Sequence, residues 1–265
     1  MRKLFYVFKV SFEKSVKEMV RYKFNTLSEI MTFYALFIAM FFGMKLFGTS
    51  MKVAPVDLGQ TLEGFVIGYF LWTVMVSAYS DTAYGVINDA SKGTLEQISM
   101  SSLGLHNVLV VRSLASLLVN LIISFIVLLS IMATTNYWLN IDLLPILIII
   151  FLGIFSMLGI SLILAGLALI FKKVQSLLNL VQYFLISLVM IGTGGAGSIL
   201  SIVLPFRPTI EKVYAITLGN ESLADISLGD YGLIIGNSLV YFLIGAFIFD
   251  QCAKIAKKKG LLGQY

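Results

Sequence analysis

Apolar residues in this chain come in six long runs separated by short polar segments, and that alternation sets the elements it predicts. The runs fall at roughly 27–48, 62–84, 107–134, 143–171, 175–198 and 231–253. Each is close to the ~20 residues a helix needs to cross a hydrocarbon layer of ~30 Å. A segment in lipid must satisfy its own backbone hydrogen bonds, so the runs predict six transmembrane helices. Residues 1–24 follow a different pattern. Phe5, Phe8, Phe12, Val16 and Met19 recur at spacings of three and four, with Lys3, Lys14, Lys17 and Arg21 on the opposite side. This predicts an amphipathic helix lying in the membrane interface, aromatics toward lipid and basic residues toward anionic headgroups. The expected organisation is an interfacial helix over 1–24 and a six-span body over 25–265. The linkers are short except 199–230, which holds Pro205, Pro208 and several acids.

Composition strengthens this all-α membrane reading. Of 265 residues, 58% are hydrophobic and 12% charged, and the mean hydropathy is +0.94. A soluble domain carries about 25% charged residues, and no stretch outside the runs is long enough for a soluble domain. The net charge of +5 does not point to nucleic acid, because the basic residues flank apolar runs instead of forming one patch. Their placement orients the chain, since Lys and Arg concentrate on the cytoplasmic side. With both termini inside, that side takes seven basic residues in 1–24, then Lys92, Arg112, Lys172, Lys173 and four more between 254 and 259. The outside keeps Lys45, Lys52, Arg207 and Lys212. Residues 85–106 and 172–174 are then cytoplasmic, and 49–61, 135–142 and 199–230 external. The N-terminal segment lacks the uninterrupted apolar core and small-residue cleavage site of a signal peptide.

Catalytic chemistry finds little support. The sole cysteine, Cys252, allows no intrachain disulfide, and the sole histidine, His106, allows no multi-histidine metal site. The run from Gly192 to Gly197 matches GxGxxG, but a dinucleotide fingerprint needs a strand before it and a soluble βαβ unit around it. Here the glycines end an apolar run and loosen the helix. Walker A, GxSxG and HExxH sequences are all missing, so the chain is expected to be neither an ATPase nor a hydrolase and to hold no metal or cofactor itself. Asp81 and Asp250, the latter beside Lys254, read as interfacial charges, and His106 as a headgroup-level residue opening the third run.

Polar residues within the runs are costly in lipid and normally face protein or water. Tyr69, Thr73, Ser77, Ser80 and Tyr84 share one face of the second run, and Gln175, Asn179 and Gln182 share one face of the fifth. Such stripes serve either as glue between helices or as the wall of a substrate pathway. The third run adds Ser113, Ser116, Asn120 and Ser124, which read as glue.

One polar segment stands apart. Asp89-Ala90-Ser91-Lys92-Gly93-Thr94-Leu95-Glu96-Gln97-Ile98 follows the second run and leads into a polar turn, Ser101-Ser102-Leu103. Together with the basic helix entering the first run at Arg21-Tyr22-Lys23-Phe24-Asn25, the six spans, and the Pro205/Pro208 segment before the last, it resembles type 2 ATP-binding-cassette exporter permeases, the transmembrane subunits of bacterial drug, lipid and polysaccharide exporters. The resemblance implies a permease paired with a second copy or a related chain, above two copies of a separate ATPase that bind ATP and Mg. It implies that 89–103 is a coupling segment, with Asp89, Lys92, Gly93, Thr94, Leu95, Glu96, Gln97 and Ile98 at the ATPase. Leu95 and Ile98 would fill a groove there, and Asp89 and Glu96 would meet basic residues. It implies that Tyr69, Thr73, Ser77, Ser80, Gln175, Asn179 and Gln182 line a pathway between protomers in the cell membrane, and that 199–218 is re-entrant. Hydroxyls, amides and aromatics with no central charge suit a hydrophobic or amphiphilic substrate: a drug, a lipid, a peptide antibiotic or a lipid-linked glycan. A six-span membrane enzyme or a transporter without an ATPase is the alternative. The first needs a catalytic set that cannot be assembled here, and the second a charge relay or inverted repeat that is not evident.

Overall fold

A computed structural model describes residues 2–51, 62–135, 143–171, 174–190, 198–219 and 221–260, and every regular element among them is a helix. In chain order these are α1 (Arg2–Arg21), α2 (Lys23–Met51), α3 (Leu62–Ser91), α4 (Leu95–Ser99), α5 (Gly104–Thr135), α6 (Leu143–Gly153), α7 (Phe155–Phe171), α8 (Gln175–Met190), α9 (Ser198–Val203), α10 (Arg207–Leu218) and α11 (Leu228–Lys258). The glycine run 192–197 and the linkers holding Lys52, Lys172 and Lys173 lie outside the described residues.

Among the described residues four stretches are long and apolar enough to cross a membrane: Lys23–Gly43, Gly104–Thr135, Leu144–Phe171 and Leu228–Lys258. They point to a helical membrane protein. The other two expected spans, α3 and α8, do not reach that length and apolarity among the described residues. α3 has 30 residues, about 45 Å of helix, but its polar stripe and Asp81 dilute its apolar character. α8 has 16 residues, about 24 Å. The outer surface fits lipid contact: Leu239, Leu243 and Phe247 on α11 and Leu129 on α5 are exposed, an apolar face that a soluble monomer does not leave uncovered.

α3 sits at the centre, with Leu71, Met75, Tyr79 and Val86 buried. α5 packs antiparallel to it through paired polar residues: Asn120 Nδ2 donates to Asp81 Oδ2 at 2.7 Å, the Thr82 and Ser113 hydroxyls lie 2.6 Å apart, and Arg112 Nη1 reaches Asp89 Oδ2 at 2.5 Å. On the far side α7 meets α11 through small residues. A Cβ on Gly159 would run into the main chain at Tyr241, one on Gly245 into the Gly159 carbonyl, and one on Gly166 would crowd Phe249 and Cys252. Without a hydrophobic effect between helices in lipid, such close approach supplies the dispersion contact that holds a pair together.

The fourth run, expected as one helix, is broken at Ile154. The Gly153 carbonyl accepts from the hydroxyls of Ser156 (2.8 Å) and Ser238 (3.0 Å), and the Met157 N–H turns to Ile154 instead. Thr209 packs into the space where Gly153 has no side chain. Side chains inserted into the ladder in this way account for a kink.

α1 has the expected amphipathic pattern, but its apolar stripe meets protein. Phe8, Phe12, Val16 and Met19 are half-buried along α5. Lys3 Nζ contacts Ser102 Oγ (3.3 Å) and Ser15 Oγ lies 3.4 Å from Ser116 Oγ, so α1 runs beside the first half of α5 in the same direction. Phe5, expected in the same stripe, is exposed together with Tyr6.

The segment expected as an external linker is largely helical. α9 and α10 join at Phe206, whose φ of 61° is left-handed. Asn237 clamps this turn, donating to the carbonyls of Ile202 (2.8 Å) and Leu204 (3.1 Å) and accepting from the Phe206 N–H (3.3 Å). Arg207 is 0% exposed. It donates to Glu211 Oε1 (3.0 Å) and to the Leu188 carbonyl (2.8 Å), which offsets the cost of burying its charge.

Candidate functional site

The glycine and threonine of the 89–98 segment close one helix and begin the next. Gly93 has φ +68°. Its N–H bonds to the Ala90 carbonyl (3.1 Å) and the Thr94 N–H to the Asp89 carbonyl (2.9 Å). This is the Schellman arrangement, which needs a left-handed residue at the first position past the helix and so favours glycine there. Thr94 Oγ1 also donates to the Asp89 carbonyl (3.2 Å). The chain then enters α4 and turns again through Gly104, φ +75°, into α5. α4 is thus a single helical turn held between the ends of α3 and α5.

Its residues divide between the protein's own core and solvent. Leu95, expected to fill a partner's groove, is 0% exposed and packs into this chain's own core, while Ile98, expected beside it, lies half-buried against the same core. Asp89, expected to meet a basic partner, pairs with Arg112. A five-residue helix on a linker must bury something to hold its place, and its apolar pair does so. Lys92, Glu96 and Gln97 are exposed, joined by Met100 at 73% exposure. Spacing did not single out Met100. Its signal is a large apolar side chain in an otherwise polar turn.

The two polar stripes also divide. Tyr69 is buried and donates to the Phe33 carbonyl at 2.5 Å. Thr73 is buried and bonds to the Phe70 carbonyl of its own helix (2.7 Å), and Ser77, half-buried, bonds to that of Thr73 (3.0 Å). These positions face into the protomer, with Ser80 half-buried nearby in sequence. On α8, Gln175 and Asn179 are exposed and Gln182 is half-buried. The exposed residues of α8 are 175–177, 179, 180, 183, 184 and 187, so Gln175, Asn179, Tyr183 and Ser187 share the open side with Leu177, Leu180 and Phe184. α3 and α8 do adjoin: Gln175 Nε2 donates to Tyr84 Oη (3.2 Å), Tyr79 Oη to the Leu178 carbonyl (2.9 Å) and Trp72 Nε1 to the Gln182 carbonyl (3.5 Å). The structure therefore joins the two helices without joining Tyr69 and Thr73 to the open face.

His106 Nδ1 lies 3.4 Å from Asp250 Oδ1, linking the start of α5 to α11. Asp81, bonded to Asn120, belongs to a separate group. Beyond α10, the Asp225 carboxyl is held below its ordinary range by hydrogen bonds from the Ser222 hydroxyl and backbone N–H. Among the described residues no cluster of three His, Cys, Asp or Glu side chains is arranged to hold a metal. No family model matches the chain, and no curated protein or solved structure matches it either.

Proposed function

We propose that this chain is the permease subunit of an ATP-driven exporter in the cell membrane, with six spans (α2, α3, α5, α6 with α7, α8 and α11), both termini cytoplasmic, and α9–α10 as a re-entrant element on the outer side. The observation that carries the reading is α4. It is a capped turn fixed to its own core by Leu95 and Ile98, with Glu96, Gln97 and Met100 left open at the end of the bundle that also holds the start of α1. A rigid turn with an apolar contact and a free carboxylate is suited to pass a push from a soluble motor into α3 and α5. Two ATPase subunits, binding ATP and Mg, dock there. A second permease, the same chain or a related one, covers the Gln175–Asn179–Tyr183–Ser187 face of α8 and encloses the path of a hydrophobic or amphiphilic substrate. This chain contributes transport and not catalysis.

The test is isolation of the tagged chain from its native membrane in a mild detergent. An ATP-hydrolysing subunit in equimolar amount, with activity that changes on adding the permease in lipid, is the expected result. A chain that purifies without any ATPase and moves solute in its absence overturns the reading.

A further inference from the structure

Below the centre of the bundle, α1, the start of α2 and the α4-end halves of α3 and α5 line an open cleft of about 600 Å³. That is within the ~300–1,000 Å³ of ligand sites. Its charges are unevenly matched. Arg112 is paired with Asp89 and Lys14 with Glu18 (3.8 Å). The remaining charges on the wall are Lys92 and two carboxylates, Asp81 and Glu29. Among the described residues neither carboxylate has an ion-pair partner, although Asp81 accepts from Asn120. A second feature is independent of them. Among the described residues Arg112 Nη2, on the same wall beside Gly85, is buried and has no acceptor. A buried guanidinium N–H without an acceptor costs ~1–3 kcal/mol or more; the Asp81 carboxylate is half-buried and that of Glu29 exposed, so both stand open on the wall.

We propose that this cleft binds the headgroup of an aminophospholipid, a primary ammonium joined to a phosphate. The ammonium sits between Asp81 and Glu29, each accepting an N–H. The phosphate lies toward Lys92, an exposed cation of the wall with no ion pair among the described residues. A divalent ion fits less well, because no three metal-ligating side chains converge here among the described residues. The source is a lipid and not a soluble zwitterion because the flanking surface is built for a membrane boundary: Phe5, Tyr6, Val20, Tyr22 and Phe24 are exposed around the basic residues of α1 and the start of α2, the arrangement of an interfacial helix. This proposal needs the chain to be in a membrane but does not need it to be an exporter.

Native mass spectrometry of the delipidated protein, titrated separately with phosphatidylethanolamine, phosphatidylcholine and phosphatidylglycerol of the same acyl chains, tests it. Phosphatidylethanolamine is expected to bind at least tenfold more tightly than the other two, since phosphatidylcholine lacks ammonium N–H groups and phosphatidylglycerol lacks the ammonium. Glu29→Gln, at an exposed position with no ion pair among the described residues, keeps the fold and is expected to weaken phosphatidylethanolamine about tenfold, the scale of one charge-assisted hydrogen bond. It should leave phosphatidylglycerol unchanged. Asp81→Asn should do the same if its melting temperature is retained. Equal binding of the three lipids, or an unaltered preference in Glu29→Gln, overturns the proposal. Competition by soluble phosphoethanolamine as effective as by the lipid overturns the assignment to a lipid.

Discussion

Glu96→Lys separates a coupling surface from an ordinary loop, because its two consequences differ widely in size. Glu96 is exposed, and among the described residues its recorded bonds use only its main-chain carbonyl, which accepts from Ser99 Oγ (2.8 Å) and the Met100 N–H (3.1 Å). Both survive substitution. Reversing a charge in the first turn of a helix costs ~0.3–1 kcal/mol, so the melting temperature should fall by no more than about 4 °C. At an interface the cost is larger. Truncating one partner of a buried charge pair costs ~2–5 kcal/mol, which is roughly 30-fold to several-thousand-fold in affinity. The assay is retention of an ATPase on the tagged chain, with solute export measured in parallel. Leu95→Ala is the contrasting variant: it empties a fully buried site, should cost ~2–5 kcal/mol of stability, and should lower the melting temperature visibly. Retained ATPase and undiminished export in Glu96→Lys would falsify the coupling role of α4, whatever Leu95→Ala does.

Three further outcomes are expected. Gly159→Leu places a side chain against the Tyr241 and Phe242 main chain, so α7 and α11 must part; overpacking of this kind costs ~1–3 kcal/mol, and an unchanged melting temperature in detergent would show that the two helices do not meet there. In a Cys252→Ser background, Ala224→Cys should react with a membrane-impermeant thiol reagent on intact cells and Ser101→Cys only after lysis, both positions being exposed; the opposite labelling reverses the orientation. Asn179→Leu removes an exposed amide from the open face of α8 and should change which solutes are exported while leaving the melting temperature within about 2 °C; a destabilised protein with an unchanged solute profile assigns the face to packing.

The apolar runs were legible because a helix in lipid must be both long and apolar, and α2, α5, α6 with α7, and α11 are. Boundaries were less so. α3 continues to Ser91 beyond its apolar run because Gly93, and not the loss of hydrophobicity, ends it. The break at Ile154 had only a weak local signal, the Gly153/Ser156 pair, since it also depends on Thr209 and Ser238, both distant in sequence. The destination of the α1 stripe was equally hidden. An amphipathic period says that one face is covered, and lipid and the side of α5 are equally good covers.

The two stripes show where spacing stops carrying information about a site. A serine or threonine in a helix can donate to the carbonyl three or four residues back, so its hydroxyl is satisfied whichever way the helix is turned. Thr73 and Ser77 do this, and their spacing could not tell an inward face from an open one. A tyrosine reaches further but still needs only one acceptor, and the Phe33 carbonyl supplies it to Tyr69. A primary amide is harder to hide, since it brings two N–H donors and a carbonyl and cannot satisfy them all on its own turn. Among the described residues Gln175 gives one donor to Tyr84 and no side-chain hydrogen bond is recorded for Asn179. Both stay on the open face with Tyr183 and Ser187. Amides left partly unsatisfied in an apolar helix require a polar neighbour that the described residues do not provide, and that requirement, more than their periodicity, is what favours the proposed partner chain or a passing solute against α8.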